Sequence, residues 1–309
     1  MASSYFALVV LLLYLVRTPF AEGAEWTYTG EHGVDQWAKD FPSYCSGQSQ
    51  SPIDLEASQV TYDSDLQPFT FSNFDNTNGI TWTLLNNGHA AQVSIGSGTM
   101  QVSGGSLGGT YQVAQFHFHW GSDSTKGSEH TVNGLAYPME LHIVCFNTKY
   151  GNIGDSLANP DALAVLGFFF EISSNTNPTM QKLLDGFPNI KYGGNQTSMT
   201  PFALTNMMAG SSRYFRYRGG LTTPTCNEIV TWTVFRDTIK ISETQMNAFR
   251  MLLDTQNNEI VNNYRPVQPL NGRSIRASYD DENFASASGL VFNSLVLVSS
   301  YLVSCMCRF

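Results

Sequence analysis

The stretch Gln115-Phe116-His117-Phe118-His119-Trp120-Gly121 places two histidines, one residue apart, in an aromatic and apolar run. Side chains of a β-strand alternate between its two faces, so Gln115, His117 and His119 would share one face while the aromatic residues point into a core. On a strand the Cα atoms of the two histidines lie roughly 7 Å apart, and both imidazoles can reach one ion. The stretch therefore predicts a strand with one core face and one face able to bind a metal.

A third imidazole is available at His142, in the apolar run 139–144, where Glu140 would share its face of a second strand. Three neutral imidazoles that leave a fourth position open are typical of a catalytic zinc site. Gln115 and Glu140 each precede a histidine by two residues, and ligating imidazoles need such acceptors to hold their tautomers. The simpler alternative for the first two histidines is a pair of partly buried, hydrogen-bonded side chains.

The composition of the 309 residues is that of a large globular body: 42% are hydrophobic, 13% are aromatic and only 13% are charged. Such a sequence can bury a substantial core and is unlike a disordered or coiled-coil chain. The net charge of −9 argues against a nucleic-acid partner, because phosphates would be repelled. The basic cluster Arg213, Arg216 and Arg218 alternates with aromatic residues, and we interpret it as a solvated strand face.

Regular structure is predicted mainly as strands, with a hairpin around the turn signal Asn86-Asn87-Gly88. Helical signals are short: Asn177-Pro178 can begin one helix, and Ser242 with Gln245 forms a capping box for another. No repeat or linker divides the body, so we expect a single, mainly β domain with a few short helices. The predicted strands cover 80–85, 89–95, 110–120, 139–146 and, buried on both sides, 163–172.

The amino terminus resembles a secretory signal. Residues 5–16 form an apolar run too short to span a bilayer comfortably, and Ala21-Glu22-Gly23 follows as a small-x-small cleavage site. We therefore expect a signal peptide over residues 1–23 and a mature domain over residues 24–275. The triplet that begins at Asn195 is a glycosylation acceptor sequence, consistent with a surface loop of a secreted protein.

The carboxyl terminus, residues 276–309, combines small residues, a polar spacer and the apolar run 290–303. This order is typical of the signal for a glycolipid (GPI) anchor, whose apolar tail is removed. The alternatives are a marginal transmembrane helix and a tail that folds onto the body. Together the two termini predict an extracellular protein at the cell surface, anchored to the plasma membrane by a glycolipid or otherwise secreted.

Several separate segments of the body, taken in order, resemble the α-class carbonic anhydrases, and especially their secreted and glycolipid-anchored branch. The resemblance runs from about Trp26 to Arg273. It implies a single domain with a twisted central sheet of about ten mostly antiparallel strands and a few short helices. The segments are Gln50-Ser51-Pro52-Ile53, Asn86-Asn87-Gly88-His89-Ala90, 115–121, Gly127-Ser128-Glu129-His130, Glu140-Leu141-His142 and Leu221-Thr222-Thr223-Pro224.

The resemblance implies three zinc ligands and a hydrogen-bond partner for each of them. The ligands are His117, His119 and His142. Their partners are Gln115 for His117, Glu140 for His142 and the backbone of Asn263 for His119. Carbonic anhydrases are themselves the standard example of a zinc ion that lowers the pKa of bound water to about 7.

The resemblance also implies the reaction, in which a zinc-bound hydroxide attacks carbon dioxide to give bicarbonate and a proton. Thr222 would accept a hydrogen bond from the hydroxide and donate one to Glu129, which orients the hydroxide and rejects ligands without a proton to donate. An apolar wall would receive the uncharged substrate. The residues implied at the substrate are Thr222, Thr223, Val144, Val165, Leu221, Val230 and Trp232.

The proton left by each turnover would pass through His89, since an imidazole titrates near working pH. Tyr28, Asn87 and Gln92 match positions that order a chain of water molecules toward it, although the family more often has Asn at the position of Gln92. Cys45 and Cys226 match the disulfide of the extracellular members. Cys145 would lie opposite His142 on its strand, as a buried and inert thiol.

Two other classes of function compete with an active enzyme. A non-catalytic, carbonic-anhydrase-like binding domain would be expected to lack one or more of the ligand histidines, and all three are present. A mineral-matrix protein would be expected to carry acidic or Gly/Asn repeats, and the sequence has none. The residues therefore favour a zinc lyase that interconverts carbon dioxide and bicarbonate.

Overall fold

The structure, a computed structural model, describes residues 26–280 of the chain. The predicted signal peptide (1–23) and almost all of the predicted anchor segment (276–309) lie outside these residues. Within 26–280, no helix combines the length and the apolar content needed to cross a membrane.

The described residues contain fourteen strands, four α-helices and four short 3₁₀ helices. The strands are β1 Asp54–Leu55, β2 Val60–Tyr62, β3 Phe69–Ser72, β4 Thr81–Asn86, β5 Ala91–Ser97, β6 Gln101–Gly104, β7 Tyr111–Trp120, β8 Thr131–Val132, β9 Met139–Asn147, β10 Leu163–Ser173, β11 Gln196–Met199, β12 Tyr214–Gly219, β13 Val230–Ser242 and β14 Ile275–Ala277. The α-helices are α1 Trp37–Asp40, α2 Ile153–Ser156, α3 Pro178–Leu184 and α4 Glu243–Arg250. The 3₁₀ helices are Ala57–Gln59, Thr148–Tyr150, Phe187–Ile190 and Leu204–Met207.

Twelve of these strands form one twisted sheet, while β1 and β8 pair separately. The main path through the large sheet is β11-β4-β5-β7-β9-β10-β13-β12-β14-β2. Off this path, β6 pairs with β7, and β3 pairs with β6. Within that sheet only the pairs β10–β13 and β14–β2 are parallel. The predicted mainly β, single-domain fold with a mostly antiparallel sheet is confirmed, with twelve strands in place of about ten.

The centre of the sheet is formed by β9 and β10, and every residue of β9 is buried. The first eight residues of β10 are buried as well, which confirms the strand predicted to be covered on both sides. The hairpin β4–β5 pairs Asn86 with Ala91 around the predicted turn. A fully buried pair of central strands gives the side chains at their surface little freedom to move.

A bulge in β7 sets the face on which its histidines lie. Val113 pairs with Cys145 and Gln115 pairs with Val144, so one extra residue, Ala114, is inserted into β7. Because of this insertion, Val113 and Phe116 share one apolar cluster although they are three residues apart. The bulge thereby turns Gln115, His117 and His119 toward the opposite face of the sheet.

The large sheet separates two apolar clusters. The larger cluster contains Phe116, Phe118 and Trp120, the aromatic residues that the strand pattern assigned to the core. The smaller cluster contains Val144 and Trp232. The histidine face of β7 lies on the side of the smaller cluster, which leaves an open cleft above the sheet.

Both predicted helix starts are present. The side chain of Asn177 accepts hydrogen bonds from the first turn of α3, and Ser242 and Gln245 form the capping box of α4. The interpretation of the arginine cluster as a solvated face is wrong for Arg216, which is 2% exposed. Its guanidinium donates to Oγ1 of Thr233 at 3.0 Å from Nη2, because it lies on the core side of β12.

Candidate metal centre

Cross-strand register brings the three predicted ligands together. His117 of β7 lies directly opposite His142 of β9, and His119 lies opposite Glu140. The ring centroids of His119 and His142 are 4.7 Å apart, and those of His117 and His142 are 5.3 Å apart. Residues from two strands thus converge on one point above the sheet.

The outer nitrogens of two of these imidazoles are bonded to acceptors. Nδ1 of His119 donates to the backbone oxygen of Asn263 at 2.7 Å, and Nε2 of His142 donates to Oε1 of Glu140 at 2.8 Å. Because each acceptor requires a proton on the nitrogen that it faces, the inner nitrogens are unprotonated. These inner atoms, Nε2 of His119 and Nδ1 of His142, are 3.1 Å apart. Two lone pairs facing each other at this distance are stabilised by a cation between them.

The third imidazole completes the set in the same way. Nδ1 of His117 is 2.8 Å from Oε1 of Gln115, which leaves Nε2 free to face the other two rings. One nitrogen from each histidine lies within 4.8 Å of the others. Zinc–nitrogen bonds of about 2.0–2.1 Å in a tetrahedral site place ligand nitrogens roughly 3.3 Å apart, so the donor set fits zinc.

Burial keeps these imidazoles neutral. It lowers the pKa of His119 to about 3, with a further contribution from His142. Burial also lowers the pKa of His117 well below its ordinary value, and the neighbouring histidines add to that effect. Neutral imidazole is the form that binds a metal, so the site is prepared for one across the physiological pH range.

Glu129 lies beside the ligand nitrogens. Its Oε1 accepts a hydrogen bond from the backbone amide of Arg265 at 2.8 Å, and its Oε2 is 3.4 Å from Nε2 of His119. Burial raises the pKa of Glu129 well above its ordinary value, while the amide of Arg265 and the side chain of Thr222 oppose that rise. Within residues 26–280, Oε2 accepts no hydrogen bond, and it is also 3.8 Å from Nδ1 of His142.

A buried hydrogen-bond network behind the ligands was not anticipated from the sequence. Oε1 of Glu140 accepts from Nδ1 of His130 at 2.7 Å as well as from His142, and Nε2 of His130 meets the hydroxyl of Tyr217 at 2.6 Å. Tyr217 continues to Oγ of Ser51 at 2.9 Å. The signal that could have indicated this role is the position of His130 next to Glu129, in a segment that the resemblance already contained.

An apolar cavity of about 240 Å³ opens above the ligands. Six of the seven residues expected at the substrate line it. Val230 is instead fully buried in the smaller cluster and does not line this cavity. Three further lining residues, Ile153, Leu157 and Leu163, were not predicted from the sequence. The expected residues that line it are Val144, Val165, Leu221, Thr222, Thr223 and Trp232.

A second cavity, of about 110 Å³, lies on the polar side of the ligands and reaches His89. Tyr28, Asn87 and Gln92 line it, as the resemblance implied. The imidazole of His89 stacks on the indole of Trp26, with ring centroids 3.8 Å apart. The polar cavity therefore connects the histidine triad with a half-buried imidazole near the surface.

Three further predictions concern sites away from the ligands. Cys45 and Cys226 form a disulfide, with Cα atoms 4.9 Å apart. Cys145 is buried, and burial raises the pKa of its thiol, as expected for an inert cysteine. The side chain of Asn195 is exposed, and its glycosylation stays a prediction.

Comparison with known proteins gives a consistent result. The family model described as eukaryotic-type carbonic anhydrase matches residues 32–279. The chain is 40% identical over 261 residues to human (Homo sapiens) carbonic anhydrase 7, covering 82% of this chain and 97% of that protein. It is 38% identical over 263 residues to mouse (Mus musculus) carbonic anhydrase 1, covering 83% of this chain and 99% of that protein. Human carbonic anhydrase 3 is 37% identical over 261 residues, with coverage of 82% and 98%.

These relatives correct the predicted location. Carbonic anhydrases 1, 3 and 7 are cytosolic isoforms, and the expectation of an extracellular, cell-surface protein is contradicted by that similarity. The expectation rested on the apolar runs at the two ends of the chain, and both runs lie outside residues 26–280. Short apolar runs at chain ends are a compositional signal and carry less information than similarity over the folded body.

The family match spans most of the folded body, and the histidine triad within it has the donor set of a zinc site. The chain therefore belongs to the eukaryotic-type (α) carbonic anhydrases, a family of zinc enzymes.

Proposed function

We propose that this protein catalyses the reversible hydration of carbon dioxide to bicarbonate and a proton, with zinc bound by His117, His119 and His142. The observation that carries the proposal is the set of three unprotonated imidazole nitrogens facing one point at the floor of a cleft. A zinc ion bound there supplies a water ligand that ionises near neutral pH. The surrounding side chains then have to admit the substrate, orient the nucleophile and remove the proton.

The apolar cavity admits the substrate. Carbon dioxide is uncharged and gains little from hydrogen bonds, so Val144, Val165 and Trp232 can hold it beside the ligands without competing with its reaction. Charged bicarbonate is less well accommodated by the same wall. The cavity thereby favours entry of the neutral reactant and departure of the anionic product.

Thr222 and Glu129 orient the nucleophile. Thr222 lines the apolar cavity, and its side chain lies beside the carboxyl group of Glu129. If the threonine hydroxyl donates its proton to Glu129, its oxygen can only accept from the reacting group. This arrangement turns a lone pair of the nucleophile toward the substrate.

His89 removes the proton. Its ring is half-buried and lines the polar cavity together with Tyr28 and Asn87, and two of the ligands line the same cavity. Nδ2 of Asn87 donates to Oε1 of Gln92 at 3.1 Å, and Nε2 of Gln92 donates to Oγ of Ser94 at 3.0 Å. These bonds hold the polar wall in place, so the proton path has a fixed geometry.

The catalytic domain that we propose covers residues 24–275. The strand β14, Ile275–Ala277, pairs with β12 and β2 at that end. A purely binding role is not favoured, because the ligand nitrogens are free of hydrogen-bond donors and a neutral cleft leads to them. A mineral-matrix role has no supporting feature in the described residues.

The test is stopped-flow measurement of carbon dioxide hydration before zinc removal, after removal with a chelator and after zinc is restored. Activity should fall to the uncatalysed background without zinc and return in proportion to one zinc per chain. A zinc-loaded protein with no hydration activity would contradict the proposal. Magnesium in place of zinc is the matched control, since it prefers oxygen ligands and should not restore activity.

A further inference from the structure

Gln50 and Ser51 are buried polar residues with no part in the chemistry described so far. Gln50 is 4% exposed and Ser51 is fully buried. Buried polar side chains are retained at a cost unless their hydrogen bonds are made. Their partners include both ends of the segment 220–226, which carries Thr222 and Thr223.

Ser51 holds the first end of this segment. Its Oγ accepts a hydrogen bond from the backbone amide of Gly220 at 3.2 Å and meets the hydroxyl of Tyr217 at 2.9 Å. Its backbone oxygen accepts from Nη1 of Arg265 at 2.9 Å. One residue therefore contacts the segment on one side and Arg265 on the other.

Gln50 holds the second end. Its Nε2 is 2.9 Å from the backbone oxygen of Tyr44, 2.9 Å from Oε1 of Glu228 and 3.3 Å from the backbone oxygen of Cys226. Its Oε1 accepts from Nη1 of Arg265 at 2.9 Å. The backbone amide of Arg265 in turn donates to Glu129. The two faces of the Gln50 amide thus connect the Thr222 segment with the residue that holds Glu129.

We propose that Gln50 and Ser51 are positioning residues that hold the segment 220–226 and Arg265 in one fixed relation, and so align Thr222 with Glu129. This inference rests on the proposed function of Thr222 and Glu129. The segment is also closed internally, by the bonds from Leu221 N to Asn227 O at 3.0 Å and from Cys226 N to Thr223 O at 2.8 Å. It can therefore move as a unit when an end is released.

The alignment controls which ligands the metal accepts. With Thr222 aligned, a zinc-binding anion that keeps a proton can donate it to the threonine oxygen, whereas an anion without a proton meets a lone pair. A primary sulfonamide bound through its deprotonated nitrogen belongs to the first class, and thiocyanate belongs to the second. Loss of alignment weakens the binding of the sulfonamide and removes the repulsion of thiocyanate. The ratio of their dissociation constants therefore measures the alignment of Thr222.

The substitution Gln50→Glu separates the bond of residue 50 to Arg265 from its bonds to Cys226 and Glu228. It keeps an acceptor for Arg265 but replaces the donor that faces Cys226 and Glu228 with a carboxylate oxygen. We expect the ratio of the thiocyanate to the benzenesulfonamide dissociation constant to fall roughly tenfold, the effect of about one hydrogen bond.

The control is Gln67→Glu, the same chemical change at an exposed residue whose side chain donates to the backbone oxygen of Ser64. Dissociation constants are measured by calorimetry on zinc-loaded protein, with zinc content and melting temperature recorded for each variant. If Gln50→Glu does not fold, Glu228→Ala removes a half-buried partner of the same amide and is expected to lower the ratio in the same direction.

A ratio within twofold of the wild type in a folded, zinc-loaded Gln50→Glu or Glu228→Ala protein would overturn the inference, even if its melting temperature falls. An equal change in Gln67→Glu would overturn it as well. The proposed function fails separately, by absence of hydration activity in the zinc-loaded wild type.

Discussion

Two histidine clusters lie side by side in this protein and share His142. The first contains His117 and His119, and the second contains His130 and Glu140. Both sets bring three potential metal ligands close together. In the first, a nitrogen of every ring is left unprotonated and faces the other rings. In the second, every side-chain nitrogen and oxygen of His130 and Glu140 is hydrogen-bonded, and His142 contributes its bonded nitrogen, Nε2.

The two clusters differ in which nitrogens carry protons and in where the lone pairs point. Glu140 determines both. Its Oε1 accepts from His130 and His142, and its Oε2 accepts from the backbone amides of Glu129 and His130. Burial acts to raise the pKa of Glu140, but His130 and His142 outweigh it and hold the carboxylate ionised. The second cluster has its acceptor, Glu140, at its centre, so protons point inward and the cluster is closed to a cation. The first cluster has its acceptors on the outside, so lone pairs point inward and the cluster is open to a cation.

The largest expected effect comes from breaking the open cluster. His119→Ala removes one of three ligands, so hydration activity should fall to the background and zinc affinity should fall by more than the roughly 100-fold that loss of an outer partner costs. Zinc titration with a competing chelator and stopped-flow hydration measure the two effects. His32→Ala, at a histidine paired with Asp40 outside the cleft, is the control. Retention of tight zinc binding would contradict the assigned ligand set.

Breaking the closed cluster should affect folding before it affects metal binding. His130→Leu removes one buried hydrogen-bond partner from Glu140 and one from Tyr217, so the free energy of unfolding should fall by about 3 kcal/mol. Urea unfolding of the zinc-free protein measures this loss, and zinc content at saturation should remain one per chain. Complete loss of the zinc site with unchanged stability would mean that His130 is a ligand.

Acid tests the open cluster, because its imidazoles are held neutral by the fold and take up protons when the chain unfolds. His119 has a pKa of about 3 when folded against an ordinary value of 6.5, so the unfolded chain binds more protons below pH 6.5. Stability from neutral His119 is therefore present above that pH and is lost as pH falls toward 3, by about 2 kcal/mol at pH 5. The raised pKa of Glu129 acts in the opposite direction, so a single curve does not isolate His119.

The measurement is the loss of unfolding free energy between pH 8 and pH 5, for zinc-free wild type and zinc-free His119→Ala. We expect the variant to lose about 2 kcal/mol less than the wild type. Equal losses in the two proteins would show that His119 is not held neutral by the fold. Zinc-loaded wild type should lose metal over the same range, as the ligands take up protons.

The smallest effect concerns His89, outside both clusters. His89→Ala should slow hydration in weak buffer by at least roughly tenfold, less than the 10²–10⁴-fold typical of a group that acts directly, since water and buffer can also accept the proton. Added imidazole should restore most of the rate. Unchanged turnover in weak buffer would remove His89 from the proton path.

Much of the ligand geometry could be predicted from local pattern. Alternation placed His117 and His119 on one face, and the acceptors two residues before His117 and His142 were found where the pattern placed them. Those predictions succeeded because a strand has a fixed period. The prediction of an extracellular location was wrong. It depended on apolar runs at the chain ends, and the similarity of the folded body to cytosolic isoforms contradicts it.

The bulge at Ala114 was not predicted: the apolar alternation of Tyr111 and Val113 resumes one residue out of step at Phe116, and only the pairing with β9 shows that this step is an inserted residue. The closed cluster could not be predicted either, because His130 and Tyr217 are separated by 87 residues. Gln50 and Ser51 were present in a quoted segment, but their partners at Gly220 and Cys226 lie more than 160 residues away.

The amino-acid sequence by itself determined that this protein has a strand with a histidine face, a second strand with a third histidine, and enough apolar surface for one large core. These features depend on neighbours along the chain, whose relative positions follow from backbone geometry. The tertiary structure alone decided that His117 faces His142, that Glu140 closes one cluster and opens the other, and that Val230 lies behind the cavity wall. Each of those outcomes depends on strand register and on hydrogen bonds between distant residues, which form only when the whole sheet is assembled.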